Sequence, residues 1–155
     1  MPDRLQGDEL QNNNFDQSTF SSALSKESER KRTAQTRLRQ WPCKINMLPA
    51  TAPYLDGAEL LIAADCSAYA YADFHEHFMK KCVTLIGCPC DDTDALKRKL
   101  ERIFKENDIS SVTAVSLDAA CCEKMESTIE NAIKASNTSI PLKKIKLSTD
   151  GSVII

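Results

Sequence analysis

Seven cysteines stand in this chain of 155 residues, and the stretch LIGCPCDDTD, residues 85–94, sets two of them around a proline at the end of an apolar run. Cys66 follows a second apolar run, LLIAAD, and Cys121 and Cys122 are adjacent. A thiolate is both a nucleophile and the soft ligand that zinc and iron–sulfur clusters prefer. Three chemistries are therefore open: holding a metal or cluster, reacting as a nucleophile with a resolving thiol beside it, or packing as a small hydrophobe. No CxxC pair occurs, so local spacing selects none of these. Only convergence in space would.

Composition narrows the choice. The net charge is −2, without the basic excess that marks a nucleic-acid partner. The longest apolar run, residues 60–64, is far shorter than the ~20 residues of a spanning helix. The opening MPDRLQGDEL has neither a basic leader nor an apolar core, so no signal peptide is expected and the protein is placed in the cytoplasm, away from membranes. In that reducing compartment, and with an odd cysteine count, a fully paired disulfide framework is the weak reading. No glycine-rich phosphate loop follows any predicted strand, which argues against nucleotide binding.

The thiols need elements to position them. Residues 1–40 are polar and mixed in charge, with Arg30, Lys31 and Arg32 beside Glu27 and Glu29, and read as a disordered or loosely docked arm. Residues 41–155 read as a single α/β domain. Residues 43–47 form a short strand candidate and residues 60–64 a buried strand ending at Asp65-Cys66. Residues 67–81 have helical spacing, with Ala68, Tyr71, Ala72, His75, Phe78 and Met79 on one face. Residues 82–87 are the next buried strand, and Asp91, Asp92 and Thr93 offer caps to a helix striped by Leu96, Leu100, Ile103 and Phe104. Residues 109–117 are a further strand, and Asp118 is placed to cap a helix running to about residue 136. Residues 142–148 suit an edge strand, and Asp150-Gly151 predicts a hairpin with residues 153–155 returning antiparallel. Strands alternating with helices predict a three-layer α/β fold, a Rossmann-like, mostly parallel sheet with a C-terminal antiparallel hairpin.

On that scaffold Cys66, Cys88, Cys90, Cys121 and Cys122 all follow strands, at the carboxyl edge where open α/β sheets bind ligands. Cys43 and Cys82 begin strands and read as core filler at the opposite edge. Helix starts carry partial positive charge, which favours thiolate. Cys122 shares the spacing of Met125 and Ile129, so packing is its alternative reading, and adjacent helical residues diverge by about 100°. Cys121 and Cys122 can serve one site only where the helix start is irregular. His75 reads as a core or boundary histidine, His77 as a surface one, and Asp65 as a helix cap or an acceptor beside the thiols.

RQWPCKINMLPATAPYLDGAELLIAADCSAYAYADFHEHF, LIGCPCDDTDALKRKLERIF and CCEKM together resemble the carboxyl-terminal domain of 4Fe–4S ferredoxin-type iron–sulfur proteins of poorly defined function. The resemblance spans about residues 38–155 and lacks the ferredoxin motifs CxxCxxCxxxCP that the family usually carries upstream. It implies Cys66, Cys88, Cys121 and Cys122 as cofactor ligands. The family has lysine where this chain has Cys90, and Gly-Gly where it has Glu123-Lys124. Cys90 is thus a further candidate metal ligand.

The function expected from these readings is an iron–sulfur or thiolate-metal protein, zinc being the alternative metal, with an accessory role in electron transfer to a redox partner protein. The competing expectations are a thiol-based redox enzyme or sensor acting through Cys88 or Cys121, and a non-catalytic interaction domain with packed cysteines.

Overall fold

The structure, a computed structural model, describes residues 35–154. Within it residues 36–154 belong to one compact unit. The reading of residues 1–34 as an arm lies outside the described residues. Thr36–Gln40, read with that arm, instead belongs to the compact unit: Leu38 packs on an apolar cluster and Gln40 Nε2 donates to Thr84 O at 2.5 Å.

Four strands, β1 (Glu59–Ala64), β2 (Val83–Gly87), β3 (Ser111–Leu117) and β4 (Leu142–Leu147), form one sheet in the order β2-β1-β3-β4. Every pairing is parallel, with Ile62 opposite Leu85 on one side and Ala114 on the other, and Val115 opposite Ile145. A parallel central strand is buried on both faces, which is why β1 reads as the unbroken apolar run LLIAA. Alternation then sorts its side chains. Leu60 and Ile62 face one apolar cluster with Leu85, Val112 and Ala114, while Leu61 and Ala63 face a second with Val115, Leu117 and Leu147.

Helices α2 (Thr93–Glu106) and α3 (Glu123–Ala135) cover the first face; α1 (Ser67–Ala70) belongs to the other. Leu96, Leu100, Ile103 and Phe104 of α2 are buried at helical spacing, as are Met125, Ile129 and Ala132 of α3. Asp92 caps α2, its carboxylate accepting from the Ala95 amide at 2.8 Å.

The second face differs from the sequence reading. Residues 67–81 are not one helix: α1 stops at Tyr71, whose backbone is extended, and a π-helical turn follows over His75–Met79. Phe74 and Met79, five residues apart, are both buried, a spacing that the wider turn satisfies and a 3.6-residue helix does not. Tyr71 folds back edge-on to Phe78 with ring centres 5.1 Å apart. His75 is exposed, and its Nδ1 accepts from the Arg37 amide, so it is no core histidine.

Three further expectations need correction. Residues 43–47 are not a strand: Lys44 makes one parallel bridge to Ile86 and Ile45–Met47 is a 3-10 turn, because Ile45 turns inward to the first cluster. Asp118 does not cap α3, since a 3-10 turn, Ala120–Cys122, intervenes. The C-terminal antiparallel hairpin does not form a second strand. β4 runs parallel to β3, and the chain then turns through Ser148–Gly151 to a single antiparallel bridge, Leu147 to Val153. Val153 and Ile154 are half-exposed, so no apolar face drives that return into the sheet.

Candidate functional site at the carboxyl edge

From β1 the chain passes to β2 on one side, and from β2 it crosses to β3 and β4 on the other. The connections from the paired neighbours β1 and β3 thus run to opposite sides, and at their carboxyl ends lies the crevice where such sheets take ligands. Three loops leave the strands along this edge, the first with one cysteine and the other two with a pair each.

The first loop holds Cys66, exposed and directly before α1; Ser67 anchors it by donating its hydroxyl to Ala64 O at 2.7 Å. The second leaves β2 at Gly87. A Cβ there would lie 3.0 Å from Leu96 Cδ1 and 3.2 Å from Ile45 Cδ1, so glycine lets this strand end approach α2 closely. The Asp91 amide donates to Cys88 O at 3.2 Å and Thr93 Oγ1 to Pro89 O at 2.7 Å, closing Cys88-Pro89-Cys90 into a tight turn pinned to α2. The third loop is held by the Asp118 amide on Leu147 O at 2.7 Å and the Cys122 amide on Ala119 O at 2.8 Å.

The irregular start that two vicinal thiols require is present. The 3-10 turn leaves Cys121 exposed and Cys122 buried, with their sulfurs 4.0 Å apart. Cys122 packs in the second cluster with Leu117 and Leu147, whereas Met125 and Ile129 lie in the first. Its packing role is therefore separate from the α3 stripe. Across the gap, Cys90 Sγ lies 3.8 Å from Cys121 O.

The proton affinities report the same neighbourhood. The Cys90 thiol is held above its ordinary range, first by its hydrogen bond with Cys88, then by burial and by the charges of Cys88, Cys121 and Asp91. Burial pushes Cys122 up to about 11, a hydrogen bond from the Leu117 region opposing it and Cys121 and Cys88 adding to it. Cys88, Cys90, Cys121 and Cys122 thus form one interacting set from two loops. Among the described residues no hydrogen bond joins Cys66 to them. All seven cysteines are free.

The two cysteines assigned to the opposite edge divide. Cys82 directly precedes β2, at the amino end of the strand, where burial first and Glu59 next raise its pKa. Cys43 lies elsewhere: its carbonyl accepts from the Ile86 amide at 2.9 Å, beside the carboxyl half of β2. Asp65 caps nothing. Its Oδ2 is 3.6 Å from Lys44 Nζ, and its Oδ1 is buried without a hydrogen-bond partner.

A cavity of about 320 Å³ adjoins Cys122, lined by residues 117–120 together with Glu123, Glu126 and Lys146. Neither this cavity nor Lys44 was legible from spacing, because Lys44, Asp65, Asp91 and Lys146 come from four separate segments. The donor set is of the right chemical type for a soft metal or cluster, being thiols at strand ends. Among the described residues, however, no three His, Cys, Asp or Glu side chains are placed as a ligand group for a metal ion, so the thiols would have to converge on binding.

These features define an open parallel-sheet α/β protein with a thiol-bearing carboxyl edge. Residues 52–155 match the family described as a Rossmann-like domain, and the chain belongs to that family. It is also similar to an Archaeoglobus fulgidus protein described as uncharacterized, 27% identical over 117 residues, which cover 75% of this chain and 82% of the relative. No solved structure matches it. Among the described residues no helix is long and apolar enough to cross a membrane.

Proposed function

We propose that this protein binds an iron–sulfur cluster or a thiolate-ligated metal at its carboxyl edge, and that it serves a cytoplasmic redox partner protein as an accessory to electron transfer. The observation that carries the reading is the meeting of two loops: Cys90 Sγ against Cys121 O at 3.8 Å, with Cys121 and Cys122 sulfurs 4.0 Å apart. Cys88, Cys90, Cys121 and Cys122 are the ligands favoured by this contact, and Cys66 is the fifth donor, on the neighbouring loop. The resemblance to ferredoxin-type iron–sulfur proteins supports Cys66, Cys88, Cys121 and Cys122, whereas Cys90 rests on this contact alone. When bound, such a group supplies a one-electron couple or a structural cross-link.

The residues have definable parts in this. Gly87, Pro89 and Thr93 hold the middle loop rigid against α2. Burial of Cys122 favours its protonated form, so its conversion to a ligand requires the loss of a tightly held proton, and a cation nearby would drive that loss. Raised proton affinity at Cys90 and Cys122 also disfavours either as a low-pKa nucleophile.

The deciding experiment is elemental analysis with a visible spectrum on protein expressed with iron and purified without oxygen. Iron with acid-labile sulfide and a broad violet absorption, both lost in Cys88→Ser and Cys121→Ser variants, is the expected result. Zinc alone would assign a structural thiolate site. A folded chain free of any metal under these conditions would overturn the reading.

A further inference from the structure

We propose that Lys44 is a positioning residue for the thiol edge, its ammonium tying the end of β1 to the loop after β2. The proposal deepens, and rests on, the reading of that edge as a metal or cluster site. Lys44 Nζ lies 3.6 Å from Asp65 Oδ2 and 3.4 Å from Asp91 Oδ2. Asp65 directly precedes Cys66, and Asp91 directly follows Cys90. One cation thereby sets the separation of two thiol-bearing loops.

Lys44 is itself held from behind. Its backbone bridges Ile86, the preceding carbonyl of Cys43 accepts from the Ile86 amide, and the Lys44 carbonyl accepts from the Met47 amide at 2.9 Å. The ammonium is thus suspended from the outer edge of β2 and reaches across to the end of β1. Attraction to Asp65 first, then hydrogen bonding and attraction to Asp91, keeps it charged.

Exposed ion pairs usually hold little, and the Lys44 side chain is 41% exposed. Two features distinguish this one. Asp65 is only 30% exposed, and its Oδ1 is buried without a hydrogen-bond partner, so Lys44 is the charge that compensates a partly desolvated carboxylate. Without it, the carboxylate relieves its desolvation by turning to water, and Cys66 moves with it. The second feature is that both pairs share one ammonium, so each loop is fixed relative to the other.

The test compares the full chain with Lys44→Met, which keeps an apolar stem, and Lys44→Arg, which keeps the charge. The first readout needs no metal: the fraction of Cys66 joined to Cys88 or Cys90 by a short bifunctional thiol reagent, mapped by mass spectrometry. The second is the cobalt(II) titration, followed by its thiolate charge-transfer absorption. The expected result is a severalfold loss of cross-linking in Lys44→Met, cobalt binding weakened about tenfold, and recovery of both in Lys44→Arg. Unchanged cross-linking in Lys44→Met overturns the proposal, as does a wild-type chain that forms no such cross-link. Should Lys44→Met fail to fold, the exposed Asp91→Asn removes one arm of the tie and must itself reduce cross-linking, or the proposal falls. A wild-type chain that cross-links but binds no cobalt removes the metal reading alone, leaving the cross-link to decide the role of Lys44.

Discussion

Cys90 Sγ and Cys121 O approach to 3.8 Å, joining the loop after β2 to the loop after β3 across the carboxyl end of β1. A thiol is a weak donor, so the contact itself contributes little. Its value is geometric. It places the Cys-Pro-Cys turn beside the vicinal pair, although β2 and β3 are not neighbours in the sheet.

If that meeting point is the metal site, single thiol replacements must divide by place. Cys90→Ser and Cys121→Ser should each lower bound metal per chain. Cys82→Ser, at the far end of β2, should leave it unchanged while lowering stability as any partly buried site does. Elemental analysis of the three purified variants, alongside their urea midpoints, separates the two effects.

Alkaline stability should depend on Cys122. Its folded pKa of about 11 lies above that of an ordinary thiol. The folded state therefore holds this proton more tightly than the unfolded chain. That stabilisation is complete below the ordinary thiol range and is lost as pH rises through about 11. In metal-free protein, Cys122→Ala should flatten the fall of the urea midpoint over this interval. Under native conditions Cys122, 4% exposed, should also alkylate more slowly than exposed Cys66.

Gly151 should tolerate no side chain. Its φ is +89°, and a Cβ would lie 2.4 Å from the carbonyl oxygen of Ala70, in the backbone that follows Cys66. Gly151→Ala should cost about 1–3 kcal/mol in strain, with displacement of one backbone from the other in addition. Chemical denaturation checks the magnitude. Faster amide exchange across residues 66–71 would show that the C-terminal turn braces the Cys66 loop.

The cap and core of α2 give two calibrations. Asp92→Ala removes the acceptor from the Ala95 amide and should cost about 1 kcal/mol, with Asp92→Asn close to wild type. Leu100→Ala, at a fully buried position, should cost about 2–5 kcal/mol. A smaller loss at Leu100 than at Asp92 would contradict the assignment of α2 to the core.

The sequence by itself determined the elements whose burial is written locally. The apolar run of β1 and the stripe Leu96, Leu100, Ile103 and Phe104 follow from residue order, because strand and helix periods decide which side chains can share a face. With strands and helices in alternation, parallel order and the carboxyl-edge position of Cys66, Cys88 and Cys121 followed as well. Only the tertiary structure decided the rest. Periodicity could not reveal that Phe74 and Met79 would both be buried, ending the helix at Tyr71. Nor could it place Cys122 on the opposite face of the sheet from Met125, because that depends on a 3-10 turn held by Ala119. The tie from Lys44 to Asp65 and Asp91, and the approach of Cys90 to Cys121, join segments far apart in the chain. Such contacts are set by strand register and packing, which residue spacing within one segment does not encode.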